Sequence, residues 1–252
     1  MQVEDVILNQ SCFDFLPGVE TASVDLVLID PPYEVSRSTN FASGEPTGKD
    51  VDRFRVSMDF GAWDHSFDGL DEVIRECFRV LRMGGTIICF HDLWKIGWLK
   101  ELMESAGFSK IRFIEWLKSN PVPLNSKSTY LSNAREAAVS GVKGGRPTFN
   151  SEYDNGVYRH PICRDRGRFH PTQKPLNLIK ELILKHSRPK DLVLDCFSGS
   201  GTTCVAALET GRRFIGCELS KEYWEKSIER IKACIGCQDE NTAAECVIES
   251  FC

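Results

Sequence analysis

Two short apolar runs constrain this chain more than any other feature. Residues 25–29 read DLVLI and residues 191–196 read DLVLDC. Continuous Leu/Val/Ile stretches of this length fit strands buried on both faces, as in parallel sheets covered by helices. Each run breaks off abruptly. The first meets Asp30-Pro31-Pro32-Tyr33, and two prolines cannot continue a central strand. The second runs into Phe197-Ser198-Gly199-Ser200-Gly201-Thr202-Thr203. Open α/β sheets place their ligands at the carboxyl ends of strands. Both turns are therefore candidate ligand sites.

The rest of the chain alternates strand and helix, which makes the fold class α/β. Further strands are expected near residues 6–9, 86–90, 108–117, 136–142 and 213–217. Helical spacing covers 70–81, ended by Met83-Gly84-Gly85, and 93–106, closed by Gly107. Further helices are read at 175–186, 202–209 and 222–231. Residues 34–64 and 143–168 break the rhythm. A loop as long as the first is functional or disordered in a compact enzyme. The 252 residues are 42% hydrophobic and 27% charged, ordinary globular values that exclude a fibrous or disordered chain. There is no apolar run of membrane-spanning length. The start, MQVEDVILNQ, lacks the pattern of a secretory signal. The odd count of 11 cysteines is then read as reduced thiols in a cytosol-like compartment.

The net charge of −5 argues against a generic polyanion binder. The average hides an asymmetry. Residues 143–174 hold seven basic side chains against three acidic ones, a local charge of +4. Phe149, Tyr153, Tyr158 and Phe169 are interleaved. Arginine binds phosphate bidentately and aromatics stack on bases, so this segment is a candidate nucleic-acid contact. A solvated loop of mixed charge is the alternative.

The turn at Asp30 carries the first chemistry. Its carboxylate and the Pro31 carbonyl can both accept hydrogen bonds from an exocyclic amine. The prolines fix the turn, and Tyr33 offers a stacking face. The alternative is a plain strand-ending turn. At the second turn, two glycines let backbone approach a ligand, and a helix N-terminus offers free N–H groups. Glu218, ending the next strand, stands where an acidic residue binds ribose hydroxyls in nucleotide-binding folds; an ordinary polar strand end is its alternative. The dinucleotide fingerprint needs Gly or Ala at position 204, where Cys204 stands, which disfavours an NAD oxidoreductase. Cys234-Ile235-Gly236-Cys237, with Cys246 and Cys252 beyond, lacks an accompanying histidine, so loose thiols are read rather than zinc.

Taken together, the early DPPY and the late DxFxGxG resemble the amino-methyltransferases of DNA. Their order resembles the β-class permutation. His170-Pro171-Thr172-Gln173-Lys174-Pro175 resembles the element that precedes the cofactor loop in that class. WLKSNP at 116–121 and NGVYR at 155–159 are also similar to class segments. The resemblance implies a circularly permuted, Rossmann-like seven-stranded mixed sheet with helices on both faces, in the order 3-2-1-4-5-7-6. It implies a methyltransferase domain over 1–232, with 34–64 as a catalytic-side lid, 143–169 as a target-recognition segment and 233–252 as a cysteine-rich tail.

The implied reaction moves a methyl group from S-adenosylmethionine to N6 of an adenine flipped out of double-stranded DNA, without a metal. Aspartate at the first motif position is more typical of adenine-N6 enzymes, and serine of cytosine-N4 enzymes. Asp30, Pro31, Pro32 and Tyr33 are the implied catalytic residues. Asp195 would take the cofactor's ammonium, Phe197, Gly199 and Gly201 would line its pocket, and Thr202 would cap the following helix. Glu218 would hold the ribose, and Thr172 and Lys174 would approach the methionine end. Ser11, where family members often carry aspartate, would face the adenine. Lys143, Arg146, Arg159, Arg164, Arg166 and Arg168 are the implied DNA contacts. A homodimer and a cytoplasmic location, or the host-cell cytoplasm for a virus-encoded enzyme, also fit. The competing readings are a cytosine-N4 enzyme, an RNA or small-molecule N-methyltransferase, and a silent DNA-binding protein on the same fold.

Overall fold

The computed structural model describes residues 5–32, 67–121, 133–163, 168–170 and 172–236. Tyr33, the 34–64 loop, Arg164, Arg166 and the 237–252 part of the tail lie outside the described residues. Eight strands form one sheet: β1 (Val6–Leu8), β2 (Val24–Ile29), β3 (Leu81–His91), β4 (Ser109–Lys118), β5 (Arg135–Val142), β6 (Val157–His160), β7 (Leu192–Asp195) and β8 (Arg213–Cys217). The helices are α1 (Cys12–Phe15), α2 (Leu70–Val80), α3 (Ile96–Ala106), α4 (Leu176–His186), α5 (Thr202–Glu209) and α6 (Lys221–Gly236).

The strand order is β1-β8-β7-β2-β3-β5-β4-β6. Neighbours from β1 to β3 run parallel, β5 runs antiparallel to β3 and β4, and β6 lies parallel to β4. Numbered from the strand that leads into the glycine loop, the first seven follow the expected order 3-2-1-4-5-7-6. The eighth, β6, is a correction: it forms inside the stretch read as irregular. Asp154 and Asn155 side chains accept from the Gly156 and Val157 amides and turn the chain into it. Four residues are too few to show a period. The 83–85 reading is also corrected. Gly84 and Gly85 do not end the helix but belong to β3. Backbone bonds with Lys143, just past β5, draw them into the strand (Gly84 N to Lys143 O 2.8 Å, Lys143 N to Gly85 O 3.0 Å).

Alternate side chains of the central strands face opposite layers. Val27, Ile29, Ile87 and Cys89 pack with α1, α2 and α3, whereas Leu26, Leu28, Ile88 and Val193 pack with α4, α5 and α6. Most of these side chains are fully buried. Each contributes roughly 1.5–3 kcal/mol of hydrophobic stabilisation. The two layers hold the central strands in register, and their carboxyl ends carry the two turns.

Candidate active site

A cleft of about 620 Å³ opens where β2 and β7 end side by side. Asp30 and Pro32 border it from the first turn, and Asp195 to Ser200 from the second. Glu218, Ser11, Thr172 and Lys174 line the remaining walls. Two turns some 165 positions apart in sequence thus share one cavity, because parallel β2 and β7 are adjacent.

Its glycine loop is tightly built. Gly199 and Gly201 have φ of +48° and +69°, the left-handed region open to glycine. Gly199 leaves room for the His170 ring, which would lie 3.4 Å from a Cβ there. Burial first, then Lys174 and Arg168, lowers His170 to a pKa of about 4, so its ring is neutral near pH 7. The expected helix cap is corrected. Gly201, not Thr202, is the N-cap of α5, and no side chain caps it. The Thr202 hydroxyl instead meets Ser200 Oγ at 2.9 Å and accepts from Arg230 at 2.9 Å.

The acids differ in their surroundings. Asp195 is buried and accepts from the Phe197 amide at 3.0 Å. Desolvation, with Asp30 and Glu218 adding, pushes it up to about 7. Glu218 accepts from the Gly199 amide at 2.7 Å and the Ser220 amide at 2.8 Å, one on each oxygen. Each oxygen keeps a lone pair for a ligand hydroxyl. The Ser11 hydroxyl accepts from Phe13 as the cap of α1. Phe13, Phe67 and Phe197 form an aromatic wall, with Phe67 edge-on to Phe197 at 5.3 Å and stacked on Phe13 at 5.9 Å. Phe13 and Phe67 escaped the sequence reading because neither lies in a motif.

Asp30 Oδ2 accepts from Lys174 Nζ. Asp30 Oδ1 is buried and has no hydrogen-bond partner among the described residues. Lys174 also faces Glu136 Oε2 at 3.2 Å. Lys174 thus borders the cleft, but its ammonium is committed to two carboxylates rather than directed only at the cofactor's methionine end.

A DNA methylase family model matches residues 24–229, most of the chain. The chain belongs to the DNA methylase family. This methylase is 31% identical to the type II methyltransferase M2.DpnII of Streptococcus pneumoniae, over 90% of each protein. It is equally identical to the type II methyltransferase M.HinfI of Haemophilus influenzae, over 90% of this chain and 68% of that protein. Among solved structures, the M1.HpyAVI–SAM complex aligns with a TM-score of 0.66 and 27% identity, over 89% of this chain and 99% of that one. The cytosine-N4-specific PvuII DNA methyltransferase shares the fold at a TM-score of 0.65 and 16% identity.

The described basic residues of this segment do not gather on one surface of the methylase. Lys143 and Arg146 sit beside Gly84 and Gly85, near the start of β3, opposite the edge that carries Asp30. Lys143 Nζ donates to the carbonyls of Arg79 (3.1 Å) and Leu81 (2.7 Å) and lies 4.9 Å from the Phe78 ring centre. That geometry makes it a structural cation. The Lys143→Met variant is expected to lose about 1–2 kcal/mol of stability in urea unfolding while DNA affinity stays unchanged. A selective loss of DNA affinity would contradict the structural role. Arg159 differs: it is exposed on β6, opposite Leu117, near the site edge. Arg168 is exposed and donates to the His170 and Cys163 carbonyls.

Proposed function

We propose that this methylase transfers a methyl group from S-adenosylmethionine to the exocyclic N6 of an adenine flipped out of double-stranded DNA. One observation carries the reading: Asp30, whose Oδ1 has no partner among the described residues, borders the same cleft as the Asp195 and Glu218 carboxylates. The residues present fit the cofactor. Asp195 is a buried acid suited to an ammonium group. Glu218 has accepting capacity for ribose hydroxyls. The phenylalanine wall is suited to a purine face. When bound, S-adenosylmethionine supplies an already activated methyl group.

The chain's own residues do the rest. Asp30 Oδ1 accepts an N–H of the target amine, with the Pro31 carbonyl as a second acceptor. Holding both hydrogens turns the nitrogen lone pair toward the methyl group, and that positioning is the main catalytic contribution. A base stacked in a duplex cannot reach such a cleft, so it leaves the stack. Aspartate at position 30 favours adenine as the target base. The setting is the cytoplasm, and Arg159 and Arg168 are the DNA-contact candidates near the site. Incubation with labelled cofactor and duplex DNA, RNA or no nucleic acid tests the reading. Label is expected in duplex DNA; label only in RNA, or in none, would overturn it.

Cofactor affinity should follow Asp195. In the free protein this acid takes up a proton as pH falls through about 7. That proton must leave before an ammonium is bound, so affinity weakens as pH drops below this point. Calorimetry at about pH 6 should give up to about tenfold weaker binding than at about pH 7.5, where the ligand's α-amine is still largely protonated. Asp195→Asn should bind weakly at both. Equal wild-type affinities at the two values would refute the role.

A further inference from the structure

Glu136 belongs to no motif, yet it lies at the centre of a half-buried chain of charge. Lys118 Nζ stands 2.9 Å from Glu136 Oε1, and Lys174 Nζ stands 3.2 Å from Glu136 Oε2. Lys174 donates in turn to Asp30. The relay crosses four segments: β4, β5, the stretch before α4 and the turn after β2. Lys174 is 7% exposed, and Glu136 Oε2 is buried without a hydrogen bond of good geometry. Ion pairing at this depth carries a desolvation penalty, and apolar residues often fill such space at no loss of stability. A cluster like this points to a role other than stability.

We infer that Glu136 is a positioning residue for methyl transfer, acting through Lys174 to keep Asp30 Oδ1 available to the target amine. The inference rests on the proposed role of Asp30. Lys174 ties down Oδ2, which fixes the rotation of the carboxylate and leaves Oδ1 as its acceptor. Lys174 alone, however, would cancel the charge of Asp30. As the methyl group moves, positive charge passes from the donor sulfur to the amine nitrogen beside Asp30. A wall with a net positive charge would oppose that transfer. Among the described residues, with Glu136 ionised, two carboxylates face two ammonium groups and their charges balance. Without it, Lys118 and Lys174 outnumber Asp30, and the cluster carries one net positive charge. Burial raises the Asp30 carboxyl, with Glu136 adding to it and Lys174 opposing, while Lys174 and Lys118 outweigh burial at Glu136 and lower it.

The test is single-turnover methyl transfer with saturating cofactor and duplex DNA. Glu136→Gln, nearly isosteric, should slow transfer by roughly ten- to a hundredfold, the range for removing a supporting partner of a functional group. Cofactor affinity should change little, and Glu136→Asp should recover part of the rate. The effect should largely disappear in a Lys174→Met background, because the two residues act as one unit. An unchanged rate in Glu136→Gln would overturn the inference, as would an equal effect in both backgrounds or a loss confined to cofactor affinity. Should Glu136→Gln fail to fold, the Glu136→Asp rate replaces it, expected below that of the wild type and contradicting the inference if normal. Asp30→Ala run alongside separates the two levels. Full activity there removes the amine-acceptor reading itself, whereas an inactive Asp30→Ala with a normal Glu136→Gln removes only the relay.

Discussion

Asp30→Ala is expected to lower methyl transfer by about a thousandfold, the upper range for removing one preorganised polar group from a reacting centre. Cofactor affinity should persist. Asp30 directly follows β2, whereas Asp195 ends β7, Phe197 lies in the turn after it and Glu218 directly follows β8. The fold should also persist. Removing Asp30 leaves Lys174 against Glu136 at 3.2 Å, so the buried ammonium keeps a counter-charge. Glu136 itself keeps Lys118 at 2.9 Å. Calorimetry with the cofactor and a methylation assay on the same preparation give the two readings. Joint loss of binding and activity would assign Asp30 to the cofactor pocket instead, and retained turnover would deny it a role in the chemistry.

Gly216→Ala is expected to damage the cofactor site from behind. Gly216 lies in β8, directly opposite Asp195 of β7. A Cβ at this position would lie 2.5 Å from the Asp195 carbonyl oxygen and 2.5 Å from Ser198 Oγ. Neither can yield cheaply. Ser198 Oγ donates to that same carbonyl at 2.9 Å, and the Ser198 amide donates to the Cys217 carbonyl at 3.0 Å. Overpacking of this kind costs about 1–3 kcal/mol. Relief by moving the glycine loop transfers the strain to the cofactor site and weakens binding by roughly ten- to a hundredfold. Gly97→Ala is the matched control, since nothing stands within 4 Å of a Cβ there. Urea unfolding and cofactor titration should separate the two variants; identical behaviour would refute the packing account.

The central strands were legible because burial on both faces leaves an uninterrupted apolar run, as at 26–29 and 192–194. Asp30 and Asp195 were legible because each directly follows or ends such a run. Gly216 was not, because its demand comes from a carbonyl 21 positions earlier, across the sheet. Glu136 was not, because the antiparallel return of β5 brings it to Lys174, and nothing in the local pattern announces that pairing. Lys143 shows the converse. Its charge suggested phosphate, but its ammonium closes the carbonyls of Arg79 and Leu81. The +4 segment was real as composition, yet the fold divides its described residues between opposite edges of the sheet. Local sequence thus reports strand burial and turn chemistry well, whereas partners across strands depend on register.

The most direct measurement is mass spectrometry of nucleosides from the DNA of cells expressing the wild-type chain and the Asp30→Ala variant. N6-methyladenine is expected with the wild type and absent with the variant. N4-methylcytosine in its place, or N6-methyladenine at equal levels with both, would contradict the account.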